Sequence, residues 1–166
     1  MIISNHLIGK MPIPKEAIIR INLAWIKDKE EARKIIQETK NYIYLDYPSG
    51  RTKPPKPTIS FSEAMDLANI FQDKVKYFAV SNIEDEYQVI GIKSRLPKST
   101  EFVPKIETIR GVENIKRIAE EVDIMMLDKE DLYVDAMGDT DLYLSLVDKV
   151  RNCGAKVLEL QGVVFM

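Results

Sequence analysis

Strand-length apolar runs alternate with longer stretches of helical period along the chain, and this alternation constrains the fold more than any other feature. The runs are Ile18 to Trp25, Tyr42 to Asp46, Tyr77 to Ser81, Phe102 to Glu107, Asp123 to Asp128 and Lys156 to Leu160, with Ile2-Ile3 and Leu7-Ile8 as a candidate short strand before them. Between them lie helical patterns over 29–40, from the Ser60-Phe61-Ser62-Glu63 capping box to Phe71, and over 85–96, 112–121 and 140–152. The runs recur roughly every 22 to 34 residues, the length of one βα unit, with no internal sequence repeat. The expectation is an α/β, TIM-barrel-like set of parallel βα units in one domain, 1–166. A complete eightfold barrel takes about 250 residues. The 166 residues present therefore predict an incomplete barrel of about six or seven strands, or an open sheet.

Composition excludes several classes of function. The 24 Lys and Arg against 26 Asp and Glu give a net charge of −2, so no basic excess advertises nucleic acid or an anionic membrane as a partner. No apolar run is long enough to span a bilayer, and the N-terminus carries no secretory pattern. The one cysteine, Cys153, forms no internal disulfide and fits a reducing, cytoplasmic setting. His6, the only histidine, reads as a surface or capping residue, and Met125 and Met126 read as core.

Parallel α/β folds bind ligands where the strands end at their carboxyl side, so polar residues at those ends are the candidates. Lys105 and Glu107 share one face at the end of the fourth run, and Asp131 lies just beyond the fifth. Two convergent carboxylates suit Mg²⁺ or Mn²⁺, and an ammonium beside such an ion stabilises a developing enolate or phosphoryl oxygen. The competing reading is an ion pair of Lys105 with Glu107 that closes a sheet edge. Arg20 and Asn22 alternate along the first run, either to meet an anion or to form a buried polar network. The segment from Pro48 to Pro57 holds four prolines and a glycine and reads as a long loop. Its Arg51, Thr52, Lys53 and Lys56 either grip a phosphate or carboxylate or form a solvated linker.

These residues resemble a family. Pro104 to Ile118, with Lys105-Ile106-Glu107 and Gly111-Val112-Glu113-Asn114, resembles the Lys-Ile-Glu-Asn…Gly-Val-x-Asn signature of pyruvate kinase. Ile124 to Asp135 is similar to that family's Ile-Met-Val-Ala-Arg-Gly-Asp-Leu-Gly-Val-Glu, Phe78 to Ile83 to its Ile-Ala-Leu-Ser-Phe-Val, and Cys153 to Leu158 to its Ala-Gly-Lys-Pro-Val-Ile. The resemblance covers roughly residues 60 to 162, with a looser fit before it. It implies that Lys105 is the catalytic lysine, that Glu107 and Asp131 hold the divalent cation, and that Ser81 lines the site; Arg51 is loosely similar to the family's Arg-Thr-Gly. Ile106-Glu107-Thr108 and Glu130-Asp131-Leu132 are also similar to segments of the citrate lyase beta chain and the metal-dependent 2-keto acid aldolases.

Departures narrow the expected activity. The family's Arg-Gly is Lys129-Glu130 here, its next glycine is Tyr133, and its Thr-Ala-Thr-Gln-Met is Glu159-Leu160-Gln161-Gly162-Val163. Tyr133 would crowd the substrate's approach and Glu130 would repel an anion unless Lys129 offsets it. No G-x-x-x-x-G-K-[ST] phosphate loop is present. The expectation is a Mg²⁺-dependent site for phosphoenolpyruvate, pyruvate or a related 2-keto acid, with lyase or aldolase chemistry favoured over complete kinase activity. The alternative is a non-catalytic binding or assembly subunit that retains the fold. A homo-oligomer is expected in either case, because an open barrel exposes strand edges.

Overall fold

Seven strands run parallel in sequence order: β1 (Ile2–Ser4), β2 (Ile18–Asn22), β3 (Ile43–Tyr47), β4 (Val75–Val80), β5 (Glu101–Ile106), β6 (Ile124–Leu127) and β7 (Lys156–Gln161). The computed structural model describes residues 1–50, 54–161 and 164–165. A two-residue strand, β8 (Val164–Phe165), pairs antiparallel with both β7 and β1 and closes the ring. The parallel set is incomplete, as its length predicts, and the two edges it would leave open are occupied by β8.

The connections carry α1 (Lys29–Glu38), α2 (Phe61–Ile70), α3 (Glu86–Lys93), α4 (Ile109–Glu113), α5 (Ile115–Glu120), α6 (Lys129–Asp135) and α7 (Thr140–Arg151). All of these helices except α5 start with a side-chain cap. The Asp28 carboxylate accepts from the Glu31 N–H, and Ser60 with Glu63 and Asp85 with Gln88 form reciprocal capping boxes. No helix among the described residues is long and apolar enough to cross a membrane.

Strand alternation sorts the apolar residues into two cores. Ile19, Ile21, Ile43, Leu45, Phe78, Val80, Phe102, Ile106, Met125 and Leu127 face the helices. Ile2, Tyr44, Ala79, Val103, Ile124, Met126 and Leu158 form a second cluster inside the ring. Burial on both faces is why the strands read as nearly continuous apolar runs rather than as alternating ones.

Several elements depart from the sequence reading. The first run ends as a strand at Asn22, whose side chain accepts from the Ala24 N–H at 3.0 Å and turns Leu23–Trp25 into a 3₁₀ helix. Leu7 ends another 3₁₀ turn, Asn5–Leu7, instead of adding to a strand. The helix expected over 112–121 is two helices broken at Asn114, whose amide donates to the Glu84 carbonyl at 2.9 Å. The α6 helix was not anticipated. Asp128 caps it by accepting from the Asp131 N–H, and Leu132 is its one buried residue.

Candidate functional site

The inner face of each central strand changes from apolar to charged or polar at its carboxyl end. Two residues beyond the inner-layer Tyr44, Ala79, Val103 and Met126 come Asp46, Ser81, Lys105 and Asp128, and Arg20 follows Ile18 in the same way. A period of two and a ring of parallel strands therefore bring side chains from five strands to one end of the barrel.

Lys105 is the centre of this layer. Its ammonium donates to Ser81 Oγ at 3.0 Å and lies 2.9 Å from Glu107 Oε1 and 3.7 Å from Asp46 Oδ1. Lys105, Asp46 and Glu107 are all buried. Burial alone would push the Lys105 ammonium down, but Asp46 and Glu107 outweigh it and hold it above the usual lysine range. For Asp46 the strongest influence is again burial, which raises a carboxyl; Lys105 and Arg20 overcome it and keep the group below its ordinary value. Arg20 grips Asp46 through both Nε, at 2.9 Å, and Nη2. Asp46 Oδ1 accepts no hydrogen bond among the described residues.

Glu107 continues the chain of contacts to the loop after the neighbouring strand, β4. Its Oε2 accepts from the Asn82 backbone N–H at 2.8 Å. Burial pushes the Glu107 carboxyl above the usual range, Lys105 offsets this only in part, and Asp128 adds to the rise. Carboxylate oxygens of Glu107, Asp128 and Asp131 all lie within 4.8 Å of one another. Mg²⁺ coordinates oxygen at about 2.0–2.1 Å and Ca²⁺ at about 2.3–2.6 Å, so ligands on opposite sides of an ion stand about 4–5 Å apart. An all-oxygen, all-carboxylate set of this spread fits a hard divalent cation.

Arg20, Ser81, Lys105, Glu107 and Asp131 thus line one cavity of about 600 Å³, together with Asn22, Asn82, Asp128 and the Pro48–Gly50 turn. Arg51, with Thr52 and Lys53, lies outside the described residues. Lys105 and Glu107 are an ion pair, but the pair closes no sheet edge, because β5 is paired on both sides within the ring, and Glu107 also belongs to the acidic cluster. Sequence reasoning missed Asp46, Asp128 and Asn82. The available signal was position, since Asp46 and Asp128 each sit two residues beyond an inner-facing residue at a strand end.

The departures from the family pattern have structural occupations. Lys129 pairs with Glu159 at 3.1 Å and Glu159 also takes two hydrogen bonds from Arg151, so Lys129 does not offset Glu130. Glu130 is exposed and does not line the cavity. Tyr133 packs edge-on against Tyr143 with centroids 5.3 Å apart and does not crowd the mouth. Gly162 and Val163 lie outside the described residues. Trp25 is 57% exposed and meets His6 edge-on.

Fold and site together define an α/β barrel domain with a buried charge network and an acidic cluster at the carboxyl ends of its strands. No family model and no curated protein matches the chain in sequence. Among solved structures, RipC from Yersinia pestis is similar with a TM-score of 0.60 and 15% identity, over 86% of this chain and 68% of that one. Citrate synthase SbnG is similar with a TM-score of 0.57 and 14% identity, over 89% of this chain and 69% of that one. At these identities the likeness is one of fold.

Proposed function

We propose that the cavity is a divalent-cation site for a small 2-keto acid such as pyruvate, or for phosphoenolpyruvate, and that its chemistry is lyase- or aldolase-like cleavage next to a carbonyl. The observation that carries this reading is the meeting of Lys105 with the Glu107, Asp128 and Asp131 carboxylates in one cavity. The resemblance of residues 60 to 162 to the pyruvate kinase barrel supports it. So does the presence of this fold in a citrate synthase, an enzyme named for a carboxylic acid product.

Glu107, Asp128 and Asp131 would hold Mg²⁺ or Mn²⁺. Such an ion supplies Lewis-acid polarisation of carbonyl and carboxylate oxygens. Lys105 and Arg20 place two fixed positive charges at the cavity, where negative charge on a substrate oxygen gains most from preorganised partners. Ser81 and Glu107 hold the Lys105 ammonium in place, and Asp46 holds Arg20, so neither cation must reorganise during reaction. No nucleotide-phosphate loop is needed for this chemistry, which favours it over phosphoryl transfer.

Thermal unfolding with Mn²⁺ or Mg²⁺, with and without pyruvate or oxalate, tests the reading. Binding to the native state alone raises the midpoint, and about 100 times Kd of ligand stabilises by about 2.7 kcal/mol. The shift is expected in the wild type and absent in Glu107→Ala and Asp131→Ala. No response in the wild type would favour a non-catalytic assembly subunit, a reading to which the already paired Lys105 lends weight.

A further inference from the structure

Among the described residues, Asn82 is one of two non-glycine residues with positive φ, at 57°. Glycine adopts this conformation without steric cost, so what asparagine adds here is its side chain. That side chain donates from Nδ2 to the Ser49 carbonyl at 2.7 Å, while the Asn82 backbone N–H donates to Glu107 Oε2 at 2.8 Å. Gly50 makes the first contact possible. A Cβ there would stand 3.2 Å from Asn82 Nδ2, and Gly50 itself has φ of +67°. One residue therefore bonds a carboxylate of the acidic cluster and the Ser49–Gly50 turn, and both line the same cavity.

We infer that Asn82 is a positioning residue that sets the distance between the cation-holding carboxylate and the cavity wall formed by Ser49 and Gly50, and so selects for a compact 2-keto acid anion. This rests on the proposed function. The two bonds have separable consequences. The backbone bond orients Glu107 and is available to any residue at position 82 that has an N–H and adopts this angle. The side-chain bond holds the turn and belongs to asparagine alone. Cation binding follows the first, and binding of a small anion beside the cation follows both.

Asn82→Gly separates them, because it keeps the backbone angle and the N–H while deleting the amide. Mn²⁺ affinity, read by titration calorimetry, is expected to stay within about twofold of wild type. Oxalate affinity in the presence of Mn²⁺ falls about tenfold, the scale of losing an outer support of a metal site. Amide hydrogen exchange over residues 46–50, measured without metal, becomes faster. Asn82→Asp keeps the size but presents no donor to the Ser49 carbonyl; because its added charge itself repels oxalate, it is read by exchange over residues 46–50, which becomes faster as in the glycine variant and decides the tether where that variant fails to fold. Oxalate binding within about twofold of wild type in Asn82→Gly, or equal losses of Mn²⁺ and oxalate in that variant, would overturn the inference. Wild-type protein that takes up no Mn²⁺ would overturn the metal reading and the selection with it, while unchanged exchange at 46–50 overturns the tether itself.

Discussion

At the scale of single residues, the site is a problem in burying charge. Lys105 has three N–H groups and three oxygen neighbours, from Ser81, Glu107 and Asp46, and almost no water. Removing one partner of a buried pair leaves an uncompensated charge, at a cost of about 3–5 kcal/mol. Lys105→Met is therefore expected to destabilise by about that amount in denaturant unfolding, because two carboxylates lose their shared cation. Adding Glu107→Gln to that variant should return part of the loss, since it removes the carboxylate left without a cation, whereas Asp46 keeps Arg20. Additive losses in the double variant would count against a shared network. Lys105 and Glu107 were legible in the sequence because they are two apart on one strand, and Asp131 because it lies just past a strand end. Asp46 was not. Its role depends on Arg20 from β2 and Lys105 from β5, and only the closed ring brings those strands around it. Asp128 escaped notice for a related reason, since a strand-end aspartate before a helix serves equally as a cap, which Asp128 also is.

At the scale of elements, close approach decides which residues a helix tolerates. Gly111 lies in α4, where an added Cβ would come 2.7 Å from the Ile83 carbonyl oxygen, a backbone atom with little freedom to move. Gly91 lies in α3 with nothing within 4 Å of the same position. Gly111→Ala is expected to destabilise by about 1–3 kcal/mol through overpacking. Gly91→Ala should stabilise by about 0.5–1 kcal/mol through helix propensity. Chemical denaturation of the pair checks this directly, and equal effects would refute the packing argument. Asn114, three residues after Gly111, ties the same region to the Glu84 carbonyl and breaks the helix there. The Gly-Val-x-Asn pattern thus has a mechanical content, a helix start pressed against the loop after β4. Capping boxes such as Ser60 with Glu63 were readable because both partners lie within four residues. The α6 helix was not, because one buried leucine in seven residues leaves no apolar stripe to detect.

For the molecule as a whole, acidification acts on opposing sets of carboxylates. Glu159 is pulled to about 2, first by its hydrogen bonds from Arg151, against a burial effect that raises it, with Lys129 assisting. In the unfolded chain it titrates near the ordinary glutamate value, so the folded state binds fewer protons between the two values. Its contribution is complete above the ordinary value and is lost as pH falls toward about 2. Asp46, also held low, acts in the same direction. Glu107 and Glu101, both raised chiefly by burial, act oppositely, and their ionisation works against the fold as pH rises through and above the ordinary glutamate range. Glu159 joins β7 to α6 through Lys129 and to α7 through Arg151, so it fastens two helices to the last long strand of the ring. The cations are substantially exposed, and exposed pairs contribute about 0.2–1 kcal/mol. Glu159→Gln is expected to lower stability near neutral pH by about the upper end of that range, since two cations converge on one carboxylate. The difference from wild type should shrink as pH falls below the ordinary glutamate value and disappear as pH falls through about 2, where Glu159 takes up its proton in the folded chain as well. Urea unfolding of the two proteins across this interval reads the difference at each pH. A gap that persists unchanged at the acid end would mean that packing of the Glu159 side chain, rather than its charge, fastens the two helices to β7.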